Sequence, residues 1–275
     1  MRTITHPGPI ADRRADVVPC HADPIEVTLR AGHTLTRAIT QGLAEAGYAN
    51  GYLRLDGVSL APLHYVTPAP APGDGHAAWY SQTFSQPLAK IQHGGAHLGV
   101  RDGQAFVHCH AMWQDQGMGH VLCDDSLIAE DVTVQGWGLR GAGLVAQPDR
   151  ETQFTLFRPQ AEGAPVDGAS LLVTLRPNQD IGQALARIAQ DHHITRARVE
   201  GIGSLVGTVF DQGTRLESYA TELLIVEGAL HGHETVLQVA SVGFDGAGQT
   251  GRLQAGQNAI CVTAEVLIIA LPDLG

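Results

Sequence analysis

Cysteine is scarce in this chain, basic residues are outnumbered, and no apolar run is long enough to cross a bilayer; each shortage removes a class of protein. Four cysteines (Cys20, Cys109, Cys123 and Cys261) show no CxxC spacing, which excludes a paired-cysteine zinc site. Free thiols in a reducing cytoplasm are the simplest reading, with a Cys109–Cys123 bridge left open. Lys and Arg total 17 against 28 Asp and Glu, a formal charge of −11. That balance argues against simple electrostatic binding of duplex phosphates, although a local basic patch is still allowed. A membrane-crossing helix needs about 20 apolar residues, and no window approaches this. Residues 1–24 mix Arg2, Asp12, Arg13, Arg14 and Asp16 with prolines and hold no apolar stretch of signal-peptide length. A cytoplasmic protein without membrane attachment is expected.

Two glycine-bearing segments also lack what a nucleotide loop requires. Gly201-x-Gly203 follows a strand-like run but leads into Ser-Leu-Val-Gly rather than a helix opened by a third glycine. Gly136-Trp137-Gly138, with Gly141 and Gly143, has no following Lys-Ser/Thr. Both are expected to be turns between strands.

What the chain does contain is a pattern stated twice. Val27-Thr28-Leu29-Arg30 returns as Val173-Thr174-Leu175-Arg176. The apolar positions Leu35, Ala38, Ile39, Gly42, Leu43 and Ala46 are then matched by Ile181, Ala184, Leu185, Ile188, Ala189 and His192. Their spacing predicts two amphipathic helices, each with one core face. Thr34 and Asp180 stand where a side-chain oxygen can accept from the free amides of the first turn. Leu55-Asp56-Gly57-Val58-Ser59-Leu60 and Val199-Glu200-Gly201-Ile202-Gly203-Ser204-Leu205 follow, giving a repeated unit of strand, helix, strand and glycine turn.

Length allows one or two domains, and the repeat selects two. Residues 1–24 are read as an N-terminal extension, 25–160 as the first domain, 161–169 as a small, polar linker and 170–275 as the second domain. Residues 66–77 carry too many prolines and glycines for a helix or a central strand, so they form a projecting loop. Leu223–Ala229, Thr235–Val242 and Ala259–Leu271 are β-branched or aliphatic runs separated by glycine turns, and read as antiparallel strands. The fold class is α/β of the α+β kind: two tandem domains, each a mainly antiparallel sheet with one or two packed helices.

Chemistry is expected among the 14 histidines. Phe106-Val107-His108-Cys109-His110-Ala111 reads as a strand, in which His108 and His110 share a face and Cys109 turns away. Asp115, Gln116, Gly117 and Gly119 supply a turn, so a returning strand near His120 brings a third imidazole over the first two. Three neutral imidazoles with a fourth position open suit zinc or a similar divalent ion. Such an ion lowers the pKa of bound water or polarises a carbonyl. The alternative is that these are solvent-facing or hydrogen-bonded core histidines. Aligning Val107 and Ala111 with Val236 and Ala240 places Leu237 and Val239 opposite His108 and His110, and Arg252 opposite His120. On that alignment the histidines face inwards, and only the first copy binds. Glu130 aligns roughly with Glu265 and is either a general base or a strand-end carboxylate. His93 and His97 either reach the same pocket or belong to a turn and a neighbouring strand face.

These segments together resemble the PPC domain, also called DUF296, of plants and prokaryotes. The resemblance rests on Leu171–Ile181, Val199–Leu205 and Val262–Ile268, on the His-x-His and Gly-His elements of the first copy, and on Pro148–Phe154 as an ending. It spans about 240 of 275 residues in patches. It implies an antiparallel α/β fold, assembly as a homotrimer, and zinc held at the positions of His108, His110 and His120. It also implies a DNA-associated role, but plant members use a separate Arg-Gly-Arg-Pro element that is missing from this sequence, so nucleic-acid binding is doubtful. The architecture is similar, too, to that of acetolactate decarboxylases with their three-histidine zinc site, which makes a metal-dependent lyase or hydrolase an alternative. A small-molecule ligand at the open metal position is the expected partner.

Overall fold

The computed structural model describes residues 1–163, 166 and 168–272. Residues 164, 165 and 167 of the expected linker lie outside the described residues. The first half contains β1 (Ala15–Leu29), α1 (Leu35–Glu45), β2 (Asn50–Arg54), β3 (Ala89–Arg101), β4 (Gln104–Trp113), β5 (Met118–Val121) and β6 (Val132–Arg140). A hairpin, β7 (Ala142–Pro148) and β8 (Thr155–Ala161), leads to the second half. That half contains β9 (Ser170–Leu175), α2 (Ile181–Asp191), β10 (Arg196–Leu205), β11 (Thr221–His231), β12 (Glu234–Val242), β13 (Gly248–Arg252) and β14 (Ile260–Ala270).

The same antiparallel order occurs twice. In the first half it runs β1-β6-β2-β3-β4-β5, and in the second β9-β14-β10-β11-β12-β13. Strand β1 joins the two: His21–Leu29 pair with β6, while Ala15–Cys20 pair with β9. Residues 15–24, expected within an extension, are thus part of the sheet.

Each helix covers an outer face. Leu35, Ala38, Ile39 and Leu43 of α1 pack on Val27, Leu53, Val107 and Cys109, while Ile181, Leu185 and Ile188 of α2 pack on Val173, Leu237 and Val239. Burying one such Leu or Ile contributes about 1.5–3 kcal/mol, which fixes the helices more strongly than propensity does. Both expected caps are present: Thr34 Oγ1 accepts from Arg37 N at 3.3 Å and an Asp180 carboxylate oxygen from Gln183 N at 3.0 Å. The inner faces of the two sheets meet through Tyr52, Phe157, Leu172 and Leu267 at one end and through Met112, Met118, Leu224 and Val242 at the other.

Strand register corrects the alignment of the two copies. The β3–β4 hairpin pairs Arg101 with Gln104 and the β11–β12 hairpin pairs His231 with Glu234, so His108 and His110 correspond to Gln238 and Ala240. His120 lies opposite His110, as Thr250 lies opposite Ala240. Leu237, Val239 and Arg252 are one or two positions off. A one-residue slip exchanges the two faces of a strand, and Leu237 and Val239 pack under α2 rather than against the first half. The same register places Thr133, opposite Thr28, where Glu265 lies opposite Thr174; Glu130 is not its counterpart.

The expected glycine turns are also corrected. Gly136 and Gly138 lie inside β6, and Gly201 and Gly203 inside β10. They are glycines because something passes close by: a Cβ on Gly138 meets the Tyr48 ring at 2.5 Å, and one on Gly203 meets Ala264 Cα at 2.6 Å.

Candidate metal centre

Strand β4 projects His108 and His110 from its inner face while Val107 and Cys109 enter the core under α1. The turn through Gln114–Gln116 reverses the chain, and β5 returns to set His120 directly opposite His110. The ring centroids of His108, His110 and His120 are 4.9, 5.0 and 5.4 Å apart, and one ring nitrogen from each lies within 4.8 Å of the others. The three imidazoles converge at a cavity of about 210 Å³ between the two halves.

A hydrogen bond assigns the nitrogens of His110, and each of the other two rings has a polar neighbour at Nδ1. His110 Nδ1 lies 2.8 Å from the Leu223 carbonyl oxygen, which can only accept, so Nδ1 carries the hydrogen. His108 Nδ1 is 3.2 Å from Glu265 Oε2, and His120 Nδ1 is 3.5 Å from the Tyr80 hydroxyl. His110 therefore presents Nε2 to an ion, and the polar neighbours of Nδ1 on His108 and His120 are compatible with the same choice there. A ligating histidine held by its other nitrogen in this way is the usual outer arrangement of a metal site. His110 Nε2 is, moreover, a buried nitrogen without an aligned hydrogen-bond acceptor, although Glu222 Oε2 lies 2.7 Å away, off the N–H direction. The donor set therefore fits zinc or a similar divalent cation.

Electrostatics distinguish the rings. Burial alone lowers the pKa of His110, but Glu222 and the Leu223 carbonyl outweigh it and hold the value above the ordinary range. His120 is held well below that range by burial and by the neighbouring His108 and His110. Burial also acts to raise Glu265, yet His108 and His97 keep its carboxyl below the usual value.

The other expected residues separate. His97 is fully buried, its Nε2 3.2 Å from the Glu265 carbonyl and its ring 4.8 Å from that of Tyr52. His93 pairs with Met112 in the sheet and does not line the cavity. Glu130 is exposed and accepts from Ser59 Oγ at 3.1 Å, away from the triad. All four cysteines are free and buried, including Cys109 and Cys123.

Sequence reasoning missed Glu222, and it placed Glu265 only as a partner of Glu130. A signal was present, since each sits in an aliphatic run, Thr221–Val226 and Val262–Ile269, where a carboxylate is costly unless something pairs with it. The cavity wall was also unforeseen: Phe106, Phe157, Trp79 and Tyr80 supply aromatic surface, and Arg101 lies over the Phe106 ring at 5.4 Å.

No family model matches the chain, and no curated protein matches it. Among solved structures, it is similar to a plant- and prokaryote-conserved (PPC) protein from Pyrococcus horikoshii, with 11% identity and a TM-score of 0.36 over 54% of this chain and 96% of that one. A metal-containing protein from Archaeoglobus fulgidus is similar at 16% identity and a TM-score of 0.37, over 57% of this chain and 99% of that one. A protein from Ralstonia eutropha JMP134, described as a candidate DNA-binding protein, gives 14% identity and a TM-score of 0.38 over 51% and 90%. The PPC resemblance of the sequence thus has a PPC protein among its structural neighbours. What these proteins contain or bind is a property of each of them.

Proposed function

We propose that this is a metal-binding protein whose first half holds a divalent ion, zinc above all, through His108, His110 and His120, and that a small molecule enters the cavity above it. The observation that carries this reading is the convergence of one ring nitrogen from each of His108, His110 and His120 at the wall of the cavity, with the His110 ring fixed through Nδ1 by the Leu223 carbonyl. A bound ion supplies a Lewis acid and lowers the pKa of a coordinated water, which suits lyase or hydrolase chemistry. The chain's own residues do the rest: Glu265 and Tyr80 orient two of the rings, and the aromatic wall excludes water from an apolar ligand portion. Among the described residues lining the cavity, Arg101 is the one side chain of permanent positive charge, suited to an anionic group at the mouth.

A second copy of the scaffold without imidazoles at the triad positions serves assembly in this reading, and self-association as a trimer belongs to the same proposal. DNA binding finds no support in a formal charge of −11. Metal analysis of protein purified without a histidine tag tests the central reading. One equivalent of divalent ion per chain, lost when all three histidines become alanine, is expected, and metal-free protein that also fails to take up added zinc overturns it.

A further inference from the structure

Glu222 lies on β11, in the second half, yet its carboxylate enters the histidine cluster of the first. It is buried, and no Lys or Arg forms an ion pair with it among the described residues. A buried carboxylate without a counter-charge is costly, so its partner must be found at the cluster itself. The nearest group is His110 Nε2 at 2.7 Å. In neutral His110 this atom bears a lone pair, because Nδ1 donates to the Leu223 carbonyl. Two lone-pair atoms so close repel unless a positive species lies beside both.

A proton on Nε2 meets that need in the metal-free chain, and a divalent ion that displaces it meets the same need in the loaded one. Zinc takes nitrogen and carboxylate oxygen at about 2.0–2.2 Å, so neighbouring ligands on one ion lie about 3.3–3.6 Å apart at tetrahedral angles and about 2.8–3.1 Å apart at right angles. The 2.7 Å between His110 Nε2 and Glu222 Oε2 lies just under the shorter of these edges, within a small side-chain adjustment of it. Glu265 does not compete for the role, since it faces Nδ1 of His108, the nitrogen turned away from the ion. We infer that Glu222 is a fourth protein ligand, so that the ion is held by three histidines of one half and a carboxylate of the other, and fastens the two halves together.

This inference rests on the proposed metal site but makes a separate claim. Two sheets already in contact through Met112, Met118, Leu224 and Val242 would gain a coordinate link beside that apolar seam. A water or ligand that enters the cavity would then take a fifth position, on an ion already carrying one negative ligand, which lowers its net charge and favours a neutral or singly charged donor there.

The test uses the full chain, stripped with chelator and titrated with cobalt(II) and zinc(II). Three proteins are compared: wild type, Glu222→Gln and Glu222→His. Wild type is expected to show a cobalt visible spectrum and a metal-dependent rise in Tm. Glu222→Gln should weaken zinc binding at least tenfold, alter the cobalt spectrum and reduce the metal-dependent Tm rise. Glu222→His, which supplies a replacement nitrogen ligand but no carboxylate, should restore much of the affinity; a residue acting only as a counter-charge to His110 would not be rescued. If wild type binds zinc and both variants match it in affinity and spectrum, the ligand role of Glu222 is wrong while the three-histidine site stands. If wild type takes up neither metal, both fail. Should Glu222→Gln fail to fold, the affinity and cobalt spectrum of Glu222→His decide: binding far weaker than wild type overturns the ligand role.

Discussion

His108 and Glu265 join the two halves of the chain, with Nδ1 of the ring 3.2 Å from Oε2 of a fully buried carboxylate on β14. The contact sets a polar ring beside a carboxylate in the middle of an aliphatic strand, where that carboxylate would otherwise be costly. Thr263 Oγ1 donates to the other oxygen of Glu265 at 3.3 Å.

Glu265→Gln is therefore expected to weaken divalent-ion binding without removing a ligand. Loss of such an outer carboxylate commonly costs about 10–100-fold in metal affinity. Competition with a chromophoric chelator measures the change, and unaltered affinity would show that His108 needs no orienting partner.

Acid stability should depend on Asp149. Its carboxylate accepts from Thr152 N at 2.8 Å and forms ion pairs with buried Arg158 and half-buried Arg176. Burial opposes ionisation, but the Thr152 amide and the two guanidinium groups hold its pKa at about 2, below the ordinary value of 3.8. The folded state thus binds the proton less readily than the unfolded chain. The stabilisation is fully present above pH 3.8 and is lost as pH falls through 3.8 toward 2. Asp149→Asn should cost about 1–3 kcal/mol at neutral pH by urea unfolding, because Arg158 and Arg176 are left with Asp16 as their shared carboxylate. The difference from wild type should shrink below pH 4, and a pH-independent difference would contradict the assignment.

His97 acts in a higher window. Burial lowers its pKa from 6.5 to about 4, against the opposing influence of Glu265. The folded protein keeps this ring neutral, so its contribution is intact above pH 6.5 and is lost as pH falls toward 4. Replacing it with Phe, which retains a ring beside Tyr52, should remove about 2–3 kcal/mol of the stability lost between pH 6.5 and 4.5. Chemical denaturation of metal-free protein across that range checks it; parallel profiles would mean that His97 is not held neutral.

Duplex DNA should bind weakly or not at all near physiological ionic strength. Seventeen basic residues face 28 acidic ones, and guanidinium groups such as those of Arg14, Arg54, Arg158 and Arg176 are committed to carboxylates. A gel shift with AT-rich duplex at several salt concentrations measures this, and a steep salt-dependent complex would contradict it.

Much of the scaffold was legible because its signals are local. Thr34 and Asp180 mark helix starts through their own side chains, and the spacing of Leu35, Ile39 and Leu43 specifies a face without reference to the rest of the fold. The triad was legible for the same reason: strand period and one turn relate His108, His110 and His120. Register between copies was not. Val107 and Val236 are identical residues, yet the hairpin turns at Asp102-Gly103 and Gly232-His233 set the pairing, and they shift it by one. The carboxylates Glu222 and Glu265 could be seen as costly, but their partners lie more than 100 residues away and are brought near only by the meeting of the two sheets.

The most direct measurement is elemental analysis of untagged wild-type protein beside a His108→Ala, His110→Ala, His120→Ala variant that has been shown to fold. One equivalent of a divalent metal per 29.1 kDa chain in wild type and none in the variant is the predicted result. Wild-type protein that lacks stoichiometric metal and does not acquire it from added zinc would contradict the account.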